Sequence, residues 1–89
     1  MKDRYLEITY RKGKAIAAYL YLRRNTGAKI VKVKKLENGL IADFNEQNQP
    51  IGLEITSPKT TTIKQINQAL ISLSIMPVSE NELAPLKAA

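Results

Sequence analysis

The sequence predicts a single small α+β domain: a five-stranded antiparallel meander sheet with one C-terminal helix packed on one face and a short terminal helical arm. Three observations carry that expectation. Apolar residues alternate with period two through the first 56 residues, which is the pattern of half-buried strands. Every connection between these segments is short, so neighbours in sequence are expected to be antiparallel neighbours in the sheet. After Pro58 the apolar spacing changes to three and four residues, the period of a helix. A chain of 89 residues has room for one domain, divided here into a sheet over about 4–56, a helix over about 60–74 and an arm over about 76–89.

In the first strand Leu6, Ile8 and Tyr10 alternate with Tyr5, Glu7 and Thr9, which turns Tyr10 toward the core. Arg11-Lys12-Gly13-Lys14 makes the turn into a second strand, where Ile16, Ala18, Leu20 and Leu22 alternate with Ala15, Ala17, Tyr19 and Tyr21. A loop over Arg23 to Ala28 leads to Val31 and Val33 alternating with Lys32 and Lys34. Asn38-Gly39 supplies a tight turn into the fourth strand, Leu40 to Phe44. Turn-rich Asn45 to Pro50 then precedes Ile51, Leu53 and Ile55 of the fifth. Thr60 or Thr61 can cap a helix whose stripe is Ile63, Ile66, Leu70 and Leu73, with Ala69 beside it. Pro77 blocks its continuation, and Ser79 with Glu82 has capping-box spacing for a last short helix that Pro85 bends or ends. The arm's apolar residues, Met76, Val78, Leu83 and Leu86, must dock somewhere. The sheet, the helix or a second subunit in a swapped dimer can take them, and the tyrosine-bearing sheet face is the nearest uncovered surface, with Glu80 and Glu82 near the basic first half.

The absent residue types narrow the chemistry. The chain has no Cys and no His, which removes disulfides, thiol nucleophiles, Ser-His-Asp triads and the usual zinc ligand sets. A domain of this size buries only about 60 to 65% of its unfolded surface, which argues against a deep enclosed active site. The longest apolar run is Ala15 to Leu22, far short of the roughly 20 residues that span a bilayer, and the start carries no signal-like apolar stretch. The expectation is a cytoplasmic protein with no cofactor and no membrane partner. Net charge is +6, and it is polarised. Residues 1–35 hold 11 Lys/Arg against Asp3 and Glu7, giving +9, whereas residues 36–89 hold three Lys against six acids, giving −3. On a small domain such a field most often means a solvated surface, and less often an anionic partner.

If Leu40, Ala42 and Phe44 face the helix with Ile51, Leu53 and Ile55, the opposite face gathers Tyr5, Glu7, Tyr19, Tyr21, Lys32, Lys34, Ile41, Asp43, Gly52 and Glu54. Pairing strands four and five symmetrically about Asn45 to Pro50 sets Phe44 opposite Ile51 and Asp43 opposite Gly52, so Glu54 lies diagonal to Asp43 at roughly 7 Å. That face is the candidate interaction surface, built from Tyr5, Glu7, Tyr19, Tyr21, Lys32, Lys34, Asp43 and Glu54. Read as chemistry, Asp43 and Glu54 would be an acid/base pair with separated pKa values. Asp43 to Glu54 also has the acidic ends of a degraded calcium loop, but its sixth position is Asn48 rather than Gly and its flanks alternate like strands. The basic set Arg11, Lys12, Lys14, Arg23 and Arg24, near Tyr5, Tyr10, Tyr19 and Tyr21, offers nucleic-acid contacts without any base-reading motif.

Tyr10, Ala17-Ala18-Tyr19-Leu20, Asp43-Phe44-Asn45 and Gly52-Leu53-Glu54-Ile55 give the stretch over about 10–55 its resemblance to the bacterial and archaeal family called domain of unknown function 2283. The chain departs from the family's pattern at Arg11, Asn45 and Asn48. The resemblance implies a small antiparallel sheet with helical cover, and an antitoxin-like or accessory binding role. The functional expectation is therefore a non-enzymatic interaction module that binds a protein partner or itself as a homodimer. The alternatives are a basic nucleic-acid-binding protein and, third, an acid/base enzyme using Asp43 and Glu54.

Overall fold

The computed structural model describes residues 4–22 and 29–87. Five strands, β1 (Tyr5–Arg11), β2 (Lys14–Tyr21), β3 (Lys32–Lys35), β4 (Leu40–Phe44) and β5 (Pro50–Ile55), precede a helix α1 (Ile63–Ser72) and a short helix α2 (Ala84–Lys87). Every strand pairing is antiparallel, so the α+β class with a five-stranded antiparallel sheet stands; Asp43 pairs with Gly52 as expected, but a register shift after Asp43 puts Phe44 opposite Pro50 rather than Ile51. The β1–β2 hairpin turns through Lys12 and Gly13, and the β3–β4 hairpin through Asn38 and Gly39, all four at positive φ. Asn-Gly suits that turn because both central residues must adopt the left-handed region. The loop predicted over Arg23 to Ala28 lies outside the described residues.

The strand order is β1-β2-β5-β4-β3, not that of a meander. β3, β4 and β5 follow one another, and β5 then returns beside β2, so β2 to β5 form a Greek key. Composition explains the sorting. β3 reads Lys-Val-Lys-Lys and is exposed throughout, as a lysine-guarded edge strand is. β5 buries Ile51, Gly52, Leu53 and Ile55, which only a central strand can do.

One face of the sheet carries the core. Ala18, Leu20 and Leu22 of β2 and its end, Leu40, Ala42 and Phe44 of β4, and Leu53 and Ile55 of β5 pack with Ile66, Ala69 and Leu70 of α1. The helix starts one or two residues later than the sequence suggested. Thr62, not Thr60 or Thr61, is the N-cap, in a reciprocal capping box with Gln65. Thr60 and Thr61 instead bond back to the Ser57 carbonyl through backbone and hydroxyl.

The arm packs differently from the expectation. Val78, Leu83 and Leu86 enter the same core as α1 rather than docking on the tyrosine face, and Met76 stays exposed. Width is the reason. Five strands at about 4.8 Å spacing make an apolar face some 20 Å across, and one helix about 10 Å wide leaves half of it bare. Two polar clamps hold the arm there. The Asn67 side chain on α1 accepts from the Val78 amide at 2.8 Å and donates to its carbonyl at 3.2 Å. Arg4 pairs with Glu82 at 3.1 Å and donates to the carbonyls of Met76 and Pro77. Ser79 and Glu82 make the expected reciprocal capping contacts.

Tyr10 is a further correction. It is 53% exposed, because the β1–β2 register shifts between Thr9 and Tyr10 and the far end of the edge strand runs beyond the helical cover. Since Leu83 is 1% exposed in the centre of the arm's contact, Leu83→Ala is expected to cost about 2–5 kcal/mol, read as a shift of the urea unfolding midpoint. A loss below about 0.5 kcal/mol, ordinary for a surface position, would show the arm to be peripheral.

Candidate functional site on the open face of the sheet

Cross-strand partners share a face, so the registers assign the second side of the sheet. Tyr5 lies opposite Tyr21, Glu7 opposite Tyr19, Tyr19 opposite Glu54, Tyr21 and Asp43 opposite Gly52, Ile41 opposite Glu54, and Val33 opposite Asp43. Six of the eight residues named from the sequence, Tyr5, Glu7, Tyr19, Tyr21, Asp43 and Glu54, therefore do come together. Lys32 and Lys34 do not. They lie opposite Phe44 and Ala42, on the helix side, while Val33 and Lys35 take the open side. Alternation on an edge strand marks two faces without saying which is inward, since neither is fully buried. The Lys32 ammonium sits 5.0 Å from the Phe44 ring centroid and donates to Asn48 Oδ1 at 3.1 Å.

At the middle of this face Tyr19 reaches across a whole strand. Its ring passes over Gly52 of β5, and its hydroxyl donates to Asp43 Oδ2 of β4 at 2.9 Å. A Cβ on residue 52 would lie 1.7 Å from the Tyr19 hydroxyl oxygen, so only glycine leaves room for the crossing. Tyr21 meets Tyr19 edge-on at 4.7 Å between centroids and stacks with Tyr5 at 4.3 Å, and its hydroxyl donates to Glu7 at 3.2 Å. The result is a ladder of three aromatic rings from the β1 edge to the buried carboxylate.

Asp43 is 1% exposed, and its Oδ1 has no hydrogen-bond partner among the described residues. A buried carboxylate oxygen without a donor is costly. Burial first, and then the neighbouring Asp43 carboxylate, raise the Glu54 pKa, which favours its protonated form. Burial first, and then the bond to and the charge of Asp43, also hold the Tyr19 hydroxyl protonated well above the ordinary tyrosine range. Tyr21 is raised too, by desolvation and by Glu7. Asn45 is used internally, accepting from the Gln47 and Gln49 amides to close the β4–β5 loop.

The sequence reasoning missed Gly52 as a site residue, although a lone glycine inside a strand signals a close approach. Of the basic candidates, Arg11, Lys12 and Lys14 sit exposed at the β1–β2 hairpin, and Arg23 and Arg24 lie outside the described residues.

Residues 17–57 match the model of the family described as protein of unknown function (DUF2283), the family that the sequence resembles. Tyr19, Asp43, Gly52 and Glu54 fall inside the matched segment; Tyr5, Glu7 and Tyr10 fall outside it. No curated protein and no solved structure matches the chain.

Two measurements follow. Gly52→Ala is expected to expel the Tyr19 ring and break its bond to Asp43, costing more stability than Tyr19→Phe, itself about 1–3 kcal/mol for the donor lost; equal effects would mean the crossing is not required. For Glu54, a pKa raised in the folded state means the folded protein holds this proton more tightly than the unfolded one. Its contribution is complete below the ordinary value of 4.5 and is lost as pH rises through the raised value. Glu54→Gln removes that loss, so the difference in melting temperature between variant and wild type should grow in the variant's favour across the window. Parallel curves would show that Glu54 titrates normally.

Proposed function

We propose that this chain is a non-enzymatic, cytoplasmic protein-interaction module, antitoxin-like or accessory in role, that binds a protein partner through the open face of its sheet. One observation carries the reading. Among the described residues both helices pack on the core face, and the other face presents Tyr5, 58% exposed, and Val33, 57% exposed, around the tyrosine ladder. Rigid aromatic rings with polar tips are favoured contact residues because they bury area at little entropic cost. The charges add direction. Exposed Glu7, with the buried Asp43 charge beneath the tyrosines, gives this face a negative character in a chain of net +6, which suits a partner presenting basic side chains. Burial of Asp43 weighs against the acid/base enzyme reading, since a substrate would have to displace Tyr19 or Glu54 to reach it.

Nucleic-acid binding is the second reading, favoured by Arg11, Lys12 and Lys14 at one exposed hairpin. A single experiment separates the two. Immobilised wild type, a face variant (Val33→Lys with Ile41→Lys) and a hairpin variant (Arg11→Glu, Lys12→Glu and Lys14→Glu) are exposed to extract of the source cells, with and without nuclease. The proposal expects a protein retained by wild type and by the hairpin variant, insensitive to nuclease, and lost from the face variant. Retention lost with nuclease and with the hairpin variant would replace it with the second reading.

A further inference from the structure

The two edges of the sheet are not alike. β3 is four residues long and guarded by three lysines, a combination that discourages pairing. β1 is seven residues long, reads Tyr-Leu-Glu-Ile-Thr-Tyr-Arg, and among the described residues has β2 as its one strand neighbour. Its residues are strong strand formers. Ala17 lies opposite Thr9 and Ala15 opposite Tyr10, so the extra residue at the register shift is Ile16 of β2 and β1 itself runs without a bulge. A long, regular edge of this kind is a template for another strand.

We infer that β1 pairs with β1 of a second copy of this chain, antiparallel about a two-fold axis at Thr9, to form a continuous ten-stranded sheet. Complementarity fixes both occupant and register. With Thr9 opposite Thr9, Glu7 of each copy lies opposite Arg11 of the other on the open side, so two opposite-charge pairs flank the axis. On the helix side Ile8 of each copy lies opposite Tyr10 of the other. That covers Tyr10, 53% exposed in the single chain, and the half-buried Ile8. Sliding the pairing so that Glu7 faces Glu7 opposes like charges, and centring it on Ile8 leaves Glu7 opposite Thr9. The axis stands perpendicular to the sheet, so both tyrosine ladders end on the same side, with Tyr5 of each copy toward the seam. Helices of both copies lie on the other side. This pairing uses a strand edge, whereas the proposed function uses a sheet face, and each stands if the other fails.

The test is a charge exchange read by sedimentation equilibrium, with circular dichroism confirming that each variant is folded. Wild type is expected to be a dimer. Glu7→Arg and Arg11→Glu should each raise the dimer dissociation constant on the order of tenfold or more, because each turns two attractive pairs into repulsive ones. The double variant E7R/R11E should restore the dimer, and Lys34→Glu on the opposite edge should leave it unchanged. A wild type that stays monomeric at high concentration overturns the inference. So does a dimer indifferent to both single exchanges, and so does a double variant that fails to recover assembly.

Discussion

The passage of the Tyr19 side chain over β5 to Asp43 constrains much of the rest of the molecule. A tyrosine can bond a carboxylate two strands away only if the strand between them offers no side chain at the crossing point. That requires Gly52, and it requires β2, β5 and β4 to be consecutive in the sheet. The same contact covers a carboxylate on a face that neither α1 nor α2 covers, which helps to bury Asp43 there. Tyr19 holds one of its oxygens, and burial together with the neighbouring Asp43 charge raises the Glu54 pKa.

The core face answers to a different constraint, its width. The apolar surface of five strands exceeds what ten residues of helix can cover, so the proline-bounded C-terminal segment completes the layer. Because that segment is too short to be stable alone, it is tied by Asn67 on the helix and by Arg4 at the start of β1. Arg4 and the C-terminal arm thereby close on one another beside β1.

Charge is sorted by surface rather than spread. Lysines occupy the β3 edge, basic residues the β1–β2 hairpin, and acids the middle of the open face. Net charge describes the whole chain, but a partner meets one surface at a time.

Local pattern by itself determined the strands, the helix period, the Asn38-Gly39 turn, the Asp43–Gly52 pairing and the grouping of the tyrosines with the two acids. Each of these depends on residues close in sequence or on a register set by a short loop. The order of the strands, the face taken by Lys32 and Lys34, the place of the arm and the indispensability of Gly52 were decided by the tertiary structure. Each depends on what lies beside or above a residue from a distant part of the chain. Alternation tells two faces apart, but only the arrival of β5 beside β2, and of two helical segments on one side, says which face becomes interior.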